Sequence, residues 1–270
     1  MNTKIAVIGM GFVGGAIYQS LRDNFIGEQS RLVAVDPAKG YNTSYGEIAD
    51  FDAVFVCVPS PQGADGHADT SILESVLEQL AQVSFNGVVI SKVTAPPNVY
   101  QELQDSFPNL VHAPEFLTAA NAYDDYIHGR FSIIGGAVAA YRNEAERIIR
   151  LSQKGLNSVV HCSIGEAALA KYTINSFLAT KVIFMNEMEK LATNNGMNWQ
   201  KVVSAIRQDT RIGHSHMQVP GPDGQYGFGG MCFPKDTSAL LKYAEEQGDQ
   251  LNVLATAVEK NMVIRLTSPK

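Results

Sequence analysis

KIAVIGMGFVGGAIYQSL, residues 4–21, decides the fold. Its first part, Ile5 to Ile8, is a short unbroken apolar run, as a strand buried on both faces requires. Its last part carries Ala16, Ile17 and Leu21 at helical spacing. Between them Gly9, Gly11 and Gly14 form G-x-G-x-x-G. Gly9 permits a tight turn, Gly11 lets a pyrophosphate approach the backbone, and Gly14 lets the helix pack closely on the sheet. The helix N-terminus, with Phe12 and Val13 in its first turn, then receives the phosphate charge. RLVAVDP, residues 31–37, reads as a second strand ending in Asp36. A carboxylate there accepts hydrogen bonds from ribose hydroxyls and repels a 2′-phosphate, which favours NAD over NADP.

The pattern repeats. DAVFVCV (52–58), GVVISKV (87–93), NLVHAPEF (109–116) and FSIIGG (131–136) read as further strands. SILESVLEQLAQV (71–83) reads as an amphipathic helix, with Asp69 and Thr70 before it as caps. Strands alternating with helices imply an α/β fold, a Rossmann-type, doubly wound parallel sheet. Ligands in such sheets bind at the carboxyl ends of the strands, which picks out Pro59, Thr94 and Glu115. Cys57, inside a strand, reads as core.

From Gly165 the composition turns helical. GEAALAKYTINSFLATKVIFMNEMEKLATNNG (165–196) keeps helical periodicity throughout and ends on the stop signal Gly196. At 1.5 Å per residue it is roughly 45 Å long. Lys171 and Asn175 share one face of it. Leu169, Phe177, Val182, Phe184 and Met188 form an apolar stripe that suits a homodimer surface. WQKVVSAIRQD (199–209) is a shorter helix, and RIGHSHMQVPGPDGQYGFGG (211–230) a long Gly- and Pro-rich loop. The loop leads to GFGGMCFPKD (227–236), where Pro234 suits the first turn of a helix. Cys232 then stands at or just before a helix N-terminus, where exposed N–H groups and the dipole favour a thiolate. A small residue in a tight turn explains the same cysteine, and at this point both readings stay open. The division expected is 1–160 for a dinucleotide-binding domain and 161–270 for a mainly helical domain carrying Cys232.

Bulk properties narrow the classes. The chain has 270 residues, 45% of them hydrophobic, and a formal net charge of −6. An isoelectric point near 5.5 argues against a nucleic-acid surface. Met1 to Lys4 run directly into an apolar strand, so no leader is expected, and no apolar run reaches membrane-spanning length. Three cysteines, Cys57, Cys162 and Cys232, are too few for a disulfide framework and point to the cytoplasm. His214 and His216 flank one serine without further ligands nearby, and no metal site is expected.

Several segments converge on one family. IAVIGMGFVG, VCVPSP followed by Asp69, KVTAP, APEFL, EAALAKYTINSFLATKVIFMNE, DTRIG and GFGGMCFPKD occur in the order in which the UDP-glucose/GDP-mannose dehydrogenases carry them. The chain resembles that family over nearly its whole length. The resemblance implies NAD-dependent oxidation of a nucleotide-sugar primary alcohol to a carboxylate. It matches Cys232 to the nucleophile. It matches Lys171, Asn175 and Asp236 to the groups that hold the sugar hydroxyl, the catalytic water and the developing oxyanion. Glu115 matches the carboxylate that hydrolyses a thioester, and Thr94 a residue that positions water beside it. Arg211 matches an arginine reaching the sugar of the neighbouring subunit, and Lys235 a lysine near phosphate or cofactor. Phe116, Leu117, Tyr226 and Gly229 fall among the substrate-binding positions.

The chain also departs from the family pattern. Ala119 stands for the family's second glutamate, with Thr118 before it. Ala168 replaces a glutamate ahead of Lys171, and Met231 a small residue beside Cys232. The C-terminal domain that usually grips the nucleotide is not in this sequence, which implies weak discrimination between sugar nucleotides. Two other readings remain: a non-catalytic NAD-binding remnant or subunit that needs a partner, and a two-electron hydroxyacid-type dehydrogenase. The second uses the helix lysine and asparagine but no cysteine.

Overall fold

Eight short runs of mostly apolar residues become strands: β1 (Lys4–Ile8), β2 (Arg31–Asp36), β3 (Tyr41–Asn42), β4 (Ala53–Val56), β5 (Val88–Ser91), β6 (Leu110–His112), β7 (Phe131–Gly135) and β8 (Ser158–Cys162). The computed structural model describes residues 3–24 and 30–267. The strands form one sheet in the order β3-β2-β1-β4-β5-β6-β7-β8. β4 and β5 are buried at every residue, and β1 at all but its first. Their alternate side chains feed two separate cores. Ala6, Ile8, Val54, Val56 and Val89 face one; Ile5, Val7, Phe55, Val88 and Ile90 face the other.

Helices cover both faces, which is why the central strands show no polar alternation. Helices α1 (Phe12–Asn24), α2 (Ser71–Gln82), α3 (Pro97–Ser106), α4 (Ala122–Ile127) and α5 (Ala139–Ser152) belong to this sheet unit. From α2 come Leu73, Leu77 and Leu80, and from α3 Tyr100, to seal the first core. Ile17 and Leu21 of α1, Tyr126 of α4, and Ile148 and Ile149 of α5 seal the second. β1 lies between β2 and β4, so the strand order reverses beside it, and ligands of such sheets bind at that switch.

The sheet is mixed rather than wholly parallel. β3 returns antiparallel to β2, and β7 runs antiparallel to β6. Between β6 and β7 the only α-helix is the six-residue α4, about 9 Å long. That is too short to carry the chain back across the sheet, so β7 starts near the edge where β6 ends. Thr70 is the N-cap of α2, but its hydroxyl donates to Glu74; Asp69, one residue earlier, accepts from the Ser71 N–H through Oδ1 at 3.0 Å.

The helical unit holds Tyr172–Lys270 together with the segment Gln62–His67. Its elements are the greater part of α6 (Ile164–Asn194), α7 (Trp199–Ile206), α8 (Phe233–Glu246) and α9 (Asn252–Thr267). α6 has 31 residues and ends where Gly196 adopts φ +71°. Met185, Ala192, Trp199, Val203, Met217 and Val219 form one core cluster, and Ala179, Ile183, Phe228 and Ala257 another. The expected dimer stripe is narrower than its sequence suggests. Val182 and Met188 are half-buried against these clusters, while Phe177, Phe184 and Leu191 remain 55–64% exposed at seven-residue spacing. Gln62–His67 joins this unit through Gln62 Nε2 donating to Ser238 Oγ at 2.9 Å and His67 Nε2 at 2.7 Å from Glu246.

The glycine turn supplies a test of the sheet unit. A Cβ on Gly14 would stand 1.9 Å from the Gly9 carbonyl oxygen, whereas one on Gly11 would meet nothing within 4 Å. Gly14→Ala is expected to destabilise the fold by about 3 kcal/mol or more, the upper range for overpacking. Gly11→Ala should stay within about 0.5 kcal/mol of the parent. Urea denaturation measures both, and equal losses would contradict the packing described.

Candidate active site

Asp36 ends β2 with its carboxylate turned to the glycine turn. Its Oδ2 accepts from the Met10 N–H at 2.8 Å, and Lys39 Nζ donates to the Met10 carbonyl. Gly9 has φ +89°, and a Cβ there would lie 2.7 Å from the Cys57 carbonyl oxygen. So the first glycine is required by strand packing, the third by helix packing, and only Gly11 leaves open space, at the start of α1. This cradle fits a dinucleotide pyrophosphate, with Asp36 at the ribose end. Phe12 and Val13 form the first turn of α1, partly buried. Pro59 is exposed just past β4. Cys57 is partly buried beneath the turn, packed against the second core rather than within it, and burial pushes its thiol up to about 12.

Farther along the sheet edge, the residues after β6 meet Lys171, which α6 supplies while still within the sheet unit. The Lys171 ammonium, 3% exposed, donates to the Glu115 carbonyl and lies 3.1 Å from Glu115 Oε1. Oε2 of Glu115 accepts from the Leu117 N–H at 2.6 Å. The ammonium also stands 5.1 Å from the centre of the Phe116 ring. Glu115 is thereby held in one orientation by the Lys171 contact and its own loop. Thr94 is half-buried beyond β5, and its carbonyl accepts from the Ser60 hydroxyl at 2.8 Å.

In the helical unit, Cys232 occupies the N-cap of α8, with Pro234 in the first turn. The Cys232 carbonyl accepts from the Asp236 N–H at 2.8 Å, closing that turn. Asp236 is 1% exposed. Its two carboxylate oxygens are divided: Asn175 Nδ2 donates to Oδ2 and Lys235 Nζ to Oδ1, each at 2.5 Å. Asn175, Lys235 and Asp236 therefore form one buried network beside the cysteine's helix. None of the three cysteines is in a disulfide. Arg211 is brought to none of these residues; its exposed guanidinium forks onto Asp209. Tyr226 packs partly against the Met185 and Trp199 cluster. A groove of about 510 Å³ in this unit, between Val203, Arg207, Met217 and Pro220, is lined by no candidate catalytic side chain.

Sequence reading missed the residues that hold the approach to Cys232. Gly227, at φ +75°, donates its N–H to Asn186 Oδ1 at 2.9 Å. Asn261 pairs with both backbone groups of Phe228, accepting at 2.7 Å and donating at 3.0 Å. Arg265 reaches the Phe228 and Gly227 carbonyls, leaving no room for a side chain at Gly229. Lys181, buried on α6, donates to the carbonyls of Ile212, Gly213 and Ser215 at 2.6–3.1 Å and so pins the preceding loop. Asparagines inside helices were the available signal, since they favour caps and turns unless a partner holds them.

The sheet order and glycine turn define a Rossmann-type dinucleotide fold, followed here by helices, one of which has a cysteine as its N-cap. The chain belongs to the UDP-glucose/GDP-mannose dehydrogenase family: residues 38–152 match the family's NAD binding domain and residues 165–262 its central domain. UDP-glucose 6-dehydrogenase of Pseudomonas aeruginosa is 33% identical over 227 residues, covering 79% of this chain and 49% of that protein. The enzyme of the same name from Bacillus subtilis is 30% identical over 245 residues, covering 87% and 54%. The chain thus spans about half the length of these curated relatives. Among solved structures, a UDP-glucose dehydrogenase from Pyrobaculum islandicum superposes with a TM-score of 0.80 at 23% identity, covering 97% of this chain and 68% of that one. A 3-hydroxyisobutyrate dehydrogenase from Mycobacterium tuberculosis gives 0.77 at 17% identity, covering 99% and 95%. At these identities the two structures show a shared fold. Among the described residues no helix is long and apolar enough to cross a membrane, and no cluster of three His, Cys, Asp or Glu could hold a metal.

His112, at the end of β6, stacks on Tyr100 with ring centres 4.2 Å apart, and its Nδ1 donates to the Ser91 carbonyl, 3.2 Å away. Burial, reinforced by the nearby Lys92 and Lys171 charges, pushes it from 6.5 down to about 3. Between those values the unfolded chain binds a proton that the folded chain refuses. Stability is therefore full above pH 6.5 and falls as the pH drops, by up to about 1.4 kcal/mol per unit. His112→Phe keeps the stack and should flatten this acid limb in thermal denaturation between pH 7 and 4.5. An unchanged limb would show that other groups carry it.

Proposed function

We propose that the chain is an NAD-dependent nucleotide-sugar dehydrogenase of the UDP-glucose 6-dehydrogenase type, oxidising a primary alcohol by four electrons to the acid. The observation that carries this reading is Cys232 at the N-cap of α8, one turn before a buried Asp236 held by Asn175 and Lys235. Residues 1–160 serve as the dinucleotide-binding part and 161–270 as the part that carries the thiol. NAD, when bound, accepts one hydride in each of two oxidations.

The chain's own groups do the rest. In the first oxidation the sugar alcohol becomes an aldehyde. The Cys232 thiolate, favoured by the α8 N-terminus, adds to the aldehyde carbon to form a thiohemiacetal. Covalent capture keeps the aldehyde from escaping between the two oxidations. Loss of the second hydride gives a Cys232 thioester. Glu115 takes a proton from water, which adds to the thioester carbonyl and expels the thiolate. Lys171 and Asn175 stabilise the charge that develops on the substrate oxygen. Thr94 orients the water, and Asp236 keeps Asn175 aligned. Phe116, Leu117, Tyr226 and Gly229 contribute to sugar binding, Lys235 lies near phosphate or cofactor, and Asp36 selects NAD.

NADH released per sugar, measured on a panel containing UDP-glucose and GDP-mannose, tests the reaction. Two per sugar is expected, with Cys232→Ala releasing no acid while still binding NAD. One per sugar points to the hydroxyacid class, and none to a non-catalytic role; either overturns the proposal. The exposed Phe177, Phe184 and Leu191 stripe supports a homodimer in which Arg211 serves the partner's site. Sedimentation should give a dimer that Phe184→Lys dissociates; a fully active monomer would contradict it.

A further inference from the structure

The sheet unit contains a second set of polar groups that the dehydrogenase reading leaves without a task. A cavity of about 130 Å³ is lined by Lys92, Arg130, Ser132 and Gln153, with Glu115 and Asp125 also on its wall. Lys92 follows β5 directly and is 6% exposed; Ser132, on β7, is 4% exposed. Among the described residues, neither the Lys92 ammonium nor the Ser132 hydroxyl has a hydrogen-bond or ion-pair partner, and the same holds for the side chains of Arg130 and Gln153. The Lys92 ammonium lies 6.0 Å from the centre of the Phe55 ring and feels the Glu115 carboxylate without hydrogen-bonding to it. The two carboxylates are already engaged. Glu115 holds Lys171 and the Leu117 N–H, and Asp125 Oδ2 accepts from both the N–H and the hydroxyl of Thr118.

A buried cation without a partner is strongly destabilising, and a buried hydroxyl without one adds to that. These groups line one space and every one can donate: an ammonium and an exposed guanidinium that only donate, and a hydroxyl and an amide that can do so. Water, which donates as much as it accepts, satisfies such a set poorly, whereas an anion with several acceptor oxygens satisfies it well. At roughly 30 Å³ per water in the liquid, the cavity has room for about four waters or one small oxyanion, and none for a sugar or a base. We propose that it is an oxyanion-binding site, distinct from the glycine turn, that takes one free phosphate-sized anion between Lys92 and Arg130. The anion pairs the buried ammonium and offsets its repulsion of Lys171, the residue that fixes Glu115. Occupancy therefore stabilises the sheet unit and steadies the Glu115 loop. None of this rests on the thiol chemistry.

Thermal denaturation of the full chain in increasing inorganic phosphate, at constant ionic strength with chloride as the balancing ion, tests the site. The parent Tm should rise saturably with phosphate and not with chloride. Lys92→Met should melt higher than the parent without phosphate, because the unpaired charge is gone, and should show no phosphate response. Arg130→Met, an exposed position that should not impair folding, should need about tenfold more phosphate, the equivalent of one charge-assisted contact. Should Lys92→Met not fold, Arg130→Met and Ser132→Ala decide. Phosphate held at the glycine turn instead would stabilise parent and variants alike, and that result, or a parent that does not respond, overturns the proposal.

Discussion

A carboxyl group that is 1% exposed is costly to bury without hydrogen-bond partners, and Asp236 has them on both oxygens. The helical unit is arranged around that requirement. Asn175 comes from α6 and Lys235 from α8 itself, so the pairing ties the start of one helix to the side of the other. The N-terminal dipole of α8 favours the same negative charge. Removing one partner would leave a buried carboxylate half-satisfied, which is far less tolerable than losing a surface ion pair. Because Asp236 is in the first turn, fixing it also fixes the N-cap, and the N-cap is Cys232. The chain approaching that cap is held as firmly: Asn186, Asn261 and Arg265 bind the backbone of Gly227 and Phe228, and Lys181 binds the loop before them. A nucleophile needs this kind of surrounding if its position is to be reproducible to a fraction of an ångström.

The sheet unit solves a parallel problem with a different charge. Lys171 and Glu115, 56 residues apart, meet in a buried pair beyond the end of β6. The pair orients Glu115 through its two oxygens, one on the lysine and one on the Leu117 N–H. Nearby, Lys92 and His112 are buried basic side chains with no carboxylate in hydrogen-bond contact, and burial lowers both. Lys92 is held to about 8, so its charge responds to any anion brought beside it, whereas His112 stays neutral.

Much of the fold was legible because its signals are local. Gly9, Gly11 and Gly14 stand between an apolar run and a helical one, and packing requires the first and third to be glycine. Pro234 and the residues after it announce α8, and Gly196 closes α6. What could not be read depends on distance or on weak periodicity. β8 is a sheet-edge strand with Val160 half-exposed, and α9 shows apolar residues on several sides, with Val253, Met262, Val263 and Leu266 all outward. The antiparallel turn from β6 to β7 follows from the shortness of α4, which no motif marks. That Gln62–His67 attaches to α8 through Ser238 and Glu246 depends on partners some 180 residues away. The same holds for the site. Cys232, Lys171, Asn175 and Asp236 stand out by type and spacing, but the division of Asp236 between Asn175 and Lys235, and of Glu115 between Lys171 and Leu117, appears only once the chain is folded.

In the proposed reaction Cys232 carries the substrate through the second oxidation. Intact-mass spectrometry of a Glu115→Gln variant, incubated with NAD and UDP-glucose, tests it directly. If Glu115 activates the hydrolytic water, its loss should leave Cys232 esterified, with the mass raised by one acyl sugar nucleotide and the label mapping to the peptide containing GFGGMCFPKD. The adduct should be absent when Cys232→Ala is added to the variant. A variant that reduces NAD with UDP-glucose, yet shows no mass on Cys232 at any time, would contradict the account.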